Sequence, residues 1–154
     1  MLERFQGREG RAALVNALRN QFLVDGNTDI ADRVASAAQV LEYRPGTRLF
    51  TQGERGTDVY FVLAGEVSVS VGKHEVAKCR AGMHVGEMAL LDPFKGRVAT
   101  VSAIDTVVTA QISAQKFTEI ATFHPSLWRR IGIELARRLV KLETQVYQYT
   151  AQPV

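Results

Sequence analysis

The sequence predicts a mainly β protein with flanking helices. Between Tyr43 and Ile112, glycines at 46, 53, 65, 72 and 82 punctuate short alternating apolar segments, the texture of a sandwich or barrel. On either side of this block the apolar residues switch to spacings of three and four, the period of amphipathic helices. At 154 residues and 46% hydrophobic content, the chain is long enough for one domain with a sizeable core.

From the N-terminus, Gly7 to Gln21 places Ala13, Leu14, Ala17 and Leu18 on one helical face. Asp29 to Val40 does the same with Ile30, Val34, Ala37 and Ala38, and Asn27 or Thr28 is suited to cap that second helix. The stretch F-L-V-D-G-N-x-D-I-A, Phe22 to Ala31, belongs to the same helical region. After Tyr43 the pattern becomes β, and Val59 to Leu63, followed by Ala64-Gly65 and then Glu66 to Val71, reads as a hairpin. A second apolar strand block runs from Thr100 to Ile112. Ser113 then caps a short helix through Phe123, and Pro125 opens a longer one, where its missing amide would go unpaired in any case. Trp128, Ile131, Leu135, Leu139, Leu142 and Val146 form a continuous stripe along that helix, which must be covered by the β block, the N-terminal helices or a second copy of the chain. The resulting organisation is a single domain over 1–154: N-terminal helices over 1–40, a β block over 41–112 and C-terminal helices over 113–150.

The chemistry concentrates in Gly86 to Val101, GEMALLDPFKGRVATV. Gly86 allows a tight turn and close backbone approach, so the amides of Glu87, Met88 and Ala89 can open a short helical turn and face an anion. Arg97 brings a permanently charged fork of donors suited to phosphate oxygens. Glu87 cannot favourably meet a phosphate, but its carboxylate suits a hydroxyl donor such as a ribose 2′-OH. The alternative for the segment is a strand, turn and strand in which Glu87 and Arg97 form a simple ion pair. The turn Asp92 to Gly96 has ordinary turn composition.

At these residues the chain resembles the phosphate-binding cassette of the cyclic nucleotide-binding domain family, whose pattern is G-E-hydrophobic-A-L, a variable turn, then R-x-A-T/S-V. The resemblance extends from about Val40 to about Leu142. It implies a jelly roll (double-stranded β-helix) with a C-terminal helical hinge or lid, and a 3′,5′-cyclic nucleotide held by Gly86, Glu87, Met88, Ala89, Arg97 and Val98. In that family the arginine grips the phosphate and the glutamate takes the ribose 2′-OH. Val98 stands where the family often has Ser or Thr, which removes a hydroxyl donor and leaves only the backbone amide. Together with the Phe22 to Ala31 stretch, the segments D-x-Y-F-V-L-A-G-E-V (Asp58 to Val67), H-V-G-E-M-A-L-L-D-P (His84 to Pro93) and L-W-R-R (Leu127 to Arg130) add a likeness to the sensor module of bacterial Pycsar anti-phage effectors. That likeness implies cUMP or cCMP as ligand and a linked TIR-type NAD-degrading domain outside this chain. A cAMP- or cGMP-binding domain of a channel or kinase, and a degenerate roll serving as a dimerisation module, are the other readings.

Other function classes find less support. The net charge of +3 is spread along the chain. Its densest cluster, Arg129, Arg130, Arg137, Arg138 and Lys141, follows one helical pattern and reads as a solvated face, with no recognition-helix module after it, so no nucleic-acid partner is expected. The lone Cys79 permits no internal disulfide, and the three histidines have no metal-ligand spacing, so no metal is expected. No nucleophile-base or paired-carboxylate arrangement stands near the cassette, and no catalytic residue is assigned. With no membrane-spanning run and no charged-then-apolar leader at Met1, the expected compartment is the cytoplasm. His84 can face the ligand but reads more simply as a satisfied or surface group; Trp128 reads as core; Asp58 and Glu66 read as structural; Tyr147 and Tyr149 could stack on a base only if the last helix folds back. A homodimer through the C-terminal helix is one way of covering its apolar stripe.

Overall fold

The computed structural model describes residues 1–151. They form eight strands and five α-helices, preceded by one 3-10 turn at Leu2–Phe5. Helices α1 (Gly7–Arg19) and α2 (Thr28–Ala37) lead into strands β1 (Gln39–Tyr43), β2 (Arg48–Phe50), β3 (Val59–Ala64), β4 (Glu66–Val71), β5 (His74–Arg80) and β6 (His84–Val85). The short α3 (Met88–Leu91) precedes β7 (Thr100–Ala103) and β8 (Val107–Ile112), and α4 (Ala114–Phe123) and α5 (Ser126–Ala151) complete the described chain. Two antiparallel four-stranded sheets, ordered β1-β8-β3-β6 and β2-β7-β4-β5, face each other as a jelly roll.

The caps behave as their residue types dictate. The Asn27 side chain accepts from the Ile30 amide at 3.0 Å, and Ser113 accepts from the Lys116 amide at 3.2 Å. Pro125 sits one residue before α5, and its carbonyl accepts from the Trp128 amide at 3.0 Å.

Strand β3 explains why its sequence is an unbroken apolar run rather than an alternating one. Val59, Phe61 and Leu63 point to the helical layer and join Leu18, Ile30, Val34, Phe117, Leu127 and Ile131 in one core. Tyr60 and Val62 point the other way, into the roll interior with Phe50, Val67, Val85, Val101 and Val107. A strand buried on both faces has no solvent side on which to place polar residues.

Several expectations are corrected. β3 and β4 do not form a hairpin: β3 pairs with β6 and β8, while β4 pairs with β5 and β7 in the opposite sheet. The Gly65 corner carries the chain between the sheets at φ +82°, and a Cβ there would lie 2.3 Å from the Thr106 carbonyl oxygen. The nearby hairpin is instead β4–β5, closed by Gly72-Lys73. Helix α2 ends at Ala37 rather than Val40, because Ala38 turns to extended backbone and Gln39–Tyr43 pairs with β8, so the β block starts two residues earlier than 41. Phe22 to Gly26 is a turn between the first two helices, with Asp25 and Gly26 both at positive φ. The stripe on α5 is covered only at its start: Leu127 and Ile131 are buried, whereas Leu139, Leu142 and Val146 are exposed.

Candidate functional site

Arg97 is the organising residue. Its backbone is fixed on the Gln52-Gly53-Glu54 turn, where the Gly53 amide donates to the Arg97 carbonyl and the Arg97 amide donates to the Glu54 carbonyl, each at 2.8 Å. The side chain then runs inward and is 94% buried as a residue, with Nη2 donating to the Asp58 carbonyl at 2.9 Å and Nη1 to the Gly86 carbonyl at 3.3 Å. The guanidinium carbon lies 4.1 Å from the centre of the Phe50 ring, a stacked cation–π contact. Burial pulls the guanidinium below its ordinary pKa, while Tyr60, Asp58, Glu54 and Glu87 oppose that shift. An arginine remains charged under such conditions. Its Nε is buried without an acceptor, so a positively charged donor group stands in the site with hydrogen-bonding capacity unspent.

Gly86 makes this approach possible. At φ +91°, with an imagined Cβ only 2.7 Å from the Asp58 carbonyl oxygen and 2.9 Å from Arg97 Nη1, no other residue fits there without displacing the guanidinium. Glu87 follows as the residue capping α3, its side chain 4% exposed. It does not pair with Arg97. Its Oε1 accepts from Arg138 Nη1 of α5 at 2.9 Å, and the second nitrogen of that guanidinium contacts Glu134 Oε1 at 2.6 Å. His84 is buried beside them: its Nε2 lies 3.2 Å from Glu134 Oε2 and 3.9 Å from Glu87 Oε2, yet neither ring nitrogen has an aligned hydrogen-bond partner.

All six residues singled out in the sequence, Gly86, Glu87, Met88, Ala89, Arg97 and Val98, line one cavity of about 540 Å³. That volume falls within the range of small-molecule sites. Its far wall is apolar, built by Val69 and Val71 of β4 and Val76 and Cys79 of β5, and burial pushes the Cys79 thiol up to about 11. Lys78, Lys141 and Gln145 add long polar side chains to the lining, which also takes in the partly exposed Leu142 of α5. Val98 is 39% exposed on the lining. Trp128 packs edge-on against Phe117 at 5.6 Å between ring centres, as a core residue does. Tyr147 and Tyr149 are exposed, outside the cavity lining.

Two readings of the sequence change here. The basic cluster of α5 is not a plain solvated face: Arg130 donates to the Phe22 carbonyl and pairs with Asp25 at 3.2 Å, Arg137 lies over the Phe22 ring, and Arg138 and Lys141 line the cavity. His84 is neither on the surface nor a satisfied core group. Sequence reasoning missed Glu134 and Arg138, since their i,i+4 spacing is visible on the helix but their approach to Glu87 is a tertiary contact. His84, Glu87 and Glu134 place potential metal-ligand atoms within 4.8 Å of one another, and the cationic position between the two carboxylates is taken by the Arg138 guanidinium.

A jelly roll whose cavity carries a buried, partly unspent arginine beside a buried carboxylate is the architecture of a small-ligand-binding module. The chain belongs to the cyclic nucleotide-binding domain family, whose model matches residues 40–122. Among curated proteins it is 38% identical over 141 residues to the Pycsar effector protein XpPycTIR of Xanthomonas perforans, covering 92% of this chain and 46% of that protein. It is 40% identical over 139 residues to the Pycsar effector protein PaPycTIR of Pseudomonas aeruginosa, covering 90% and 45%. The chain thus spans about half the length of the curated relatives it matches. Among solved structures it shares its fold with the catabolite activator protein of Thermus thermophilus, at TM-score 0.76 and 24% identity over 84% of this chain and 63% of that one. It also shares its fold with the regulatory domain of Toxoplasma gondii PKA crystallised with cAMP, at TM-score 0.73 and 23% identity over 82% of this chain and 50% of that one. No described helix is long and apolar enough to cross a membrane.

Proposed function

We propose that this chain is the sensor module of a bacterial anti-phage effector, binding a 3′,5′-cyclic pyrimidine mononucleotide, cUMP ahead of cCMP, and relaying occupancy to a linked TIR-type NAD-degrading domain. The observation that carries the ligand class is Arg97, charged, buried and with its Nε unpartnered, on the same cavity as Glu87. In this reading the cyclic phosphate takes the free donors of Arg97, the ribose 2′-OH donates to Glu87, and Met88, Ala89 and Val98 shape the wall around the phosphosugar. The base reaches the apolar wall of Val69, Val71 and Val76. The pyrimidine preference rests on likeness to Pycsar effectors along nearly the whole chain, whereas the likeness to the cAMP-activated regulator CRP of Escherichia coli covers 68%.

Signalling requires that ligand favour one arrangement of roll and α5 over another, since equal affinity for both transmits nothing. The chain acts as the sensing half, in the cytoplasm, with the chemistry performed elsewhere in the longer protein. The apolar residues that α5 leaves exposed, among them Leu139, Leu142 and Val146, are the surface on which this reading places a second copy of the chain.

Isothermal titration of the purified chain with cUMP, cCMP, cAMP and cGMP at fixed salt tests the reading. Tight binding of a pyrimidine nucleotide supports it. Selective binding of cAMP or cGMP moves the module to a purine-signalling role, and no binding makes it a degenerate roll. NAD consumption by the longer natural protein, switched on by the preferred nucleotide, tests the linked activity.

A further inference from the structure

The carboxylate that the proposed function assigns to the ribose is already engaged. Glu87 is 4% exposed, while the Arg138 side chain lying against it is 47% exposed on the same cavity. A ligand entering from the cavity therefore meets the guanidinium before it meets the carboxylate. Arg138 is in turn oriented by Glu134 one helical turn earlier, at 2.6 Å, and Glu134 leans on buried His84. The chain of contacts Glu87, Arg138, Glu134 and His84 thus ties the middle of α5 to the cassette and to β6. Beyond Ile131 no described residue of α5 is fully buried, and past the half-buried Leu135 apolar packing contributes little to holding the helix in place.

We propose that Arg138 is an internal competitor for Glu87, so that a cyclic ribonucleotide and the middle of α5 exclude one another at that carboxylate and binding releases the helix. This rests on the reading of the cavity as a cyclic-nucleotide site. A buried carboxylate needs a compensating partner, and Glu87 has one whether it holds the guanidinium or a sugar hydroxyl flanked by the charge of Arg97. The exchange converts occupancy of the site into freedom of a helix whose remaining contacts past its second turn are the half-buried Leu135 and the Arg137 guanidinium over the Phe22 ring. It also predicts that the 2′-hydroxyl is the signalling group of the ligand, while the phosphate supplies affinity common to both states.

The test is titration of wild-type chain and of Arg138→Met with cUMP and 2′-deoxy-cUMP, together with hydrogen exchange across residues 132–150. Removing the competitor should tighten cUMP binding on the order of tenfold, within the range usual for coupled sites. The gain should be smaller for the 2′-deoxy compound, which makes no claim on Glu87. The amides of 132–150 should exchange faster in unliganded Arg138→Met than in unliganded wild type, and ligand should speed their exchange in wild type. Glu134→Gln, which loosens the guanidinium without touching the carboxylate, should give an intermediate gain and carries the test if Arg138→Met does not fold. Binding of cUMP by wild type with equal or weaker binding by the folded variants would overturn the competition alone, because Arg138 would then be a bystander or a ligand contact. Failure of wild type to bind any of the four cyclic nucleotides would overturn the site reading and the competition together.

Discussion

Replacing Arg97 by lysine keeps the positive charge and removes the fork, so it isolates what the guanidinium geometry contributes. Arginine carries five N–H donors. Two are spent on the carbonyls of Asp58 and Gly86, which leaves three, including the buried Nε–H, for a ligand phosphate. A phosphate held bidentately uses two of those three, whereas a lysine that satisfied the same two carbonyls would have one hydrogen left. The loss is one charge-assisted bond of about 1.5 to 3 kcal/mol, plus about 0.5 to 1 kcal/mol for the stacked contact with Phe50, or about 2 to 4 kcal/mol in all. In affinity this is about 30- to 700-fold. Titration calorimetry with cUMP measures it, with melting curves as the control for folding. A lysine variant that melts within about 4 °C of wild type, the shift that roughly 1 kcal/mol gives in a domain of this size, and still binds within threefold would refute the assignment of Arg97 to the phosphate.

Glu87→Ala should weaken cUMP far more than 2′-deoxy-cUMP, because only the former has a hydroxyl to lose; paired titrations of both ligands check it, and equal losses would argue that Glu87 serves α5 rather than the ribose. Gly65→Ala forces a Cβ to within 2.3 Å of the Thr106 carbonyl at a positive φ, and chemical denaturation should show a loss of more than about 2 kcal/mol. Burial raises the Cys79 thiol to about 11, so its alkylation rate should still be climbing steeply above about pH 10, where an ordinary thiol is nearly fully ionised and its rate levels off, and bound nucleotide should slow it further. The same shift has a stability sign. The folded state holds the Cys79 proton more tightly than the unfolded chain, so this contribution is complete below about pH 9 and fades as pH rises toward 11, a fade that Cys79→Ala should remove from the denaturation profile.

Local structure was the most legible part of the sequence. The cassette was readable because it lies within one contiguous stretch, and its six singled-out residues do share a cavity. The caps at Asn27 and Ser113 were readable for the same reason: the donor sits three residues from the acceptor. Legibility failed where a decision depended on distant chain. Two apolar runs separated by Ala64-Gly65 look alike whether the glycine closes a hairpin or turns a corner between sheets, and only the pairing of β3 with β8 decides it. Helicity from Asp29 was extended too far because Val40 continues the apolar spacing, although β8 claims Gln39–Tyr43 as a neighbour. The partnership of Glu87 with Arg138 was illegible in principle, since nothing local marks which of the basic residues of α5 returns to the cassette.

The two sides of the cavity are not equally free to change. Arg97 and Gly86 rest on Asp58, at the foot of β3, and every side chain of that strand is committed to one core or the other. Interiors so tightly packed transmit any change of volume. The opposite wall belongs to β4 and β5, an outer hairpin in which Val71 and Val76 are already exposed. Val71 and Val76 can be exchanged at little cost to the fold, whereas Val67 and Cys79 of the same hairpin belong to the roll core. On the proposed reading of the cavity as a cyclic-nucleotide site, variation in which base is read should therefore collect at the exposed positions of the β4–β5 hairpin, while the half built on Arg97 and Gly86 stays fixed, so that one scaffold is retuned to a new messenger by rewriting a single edge.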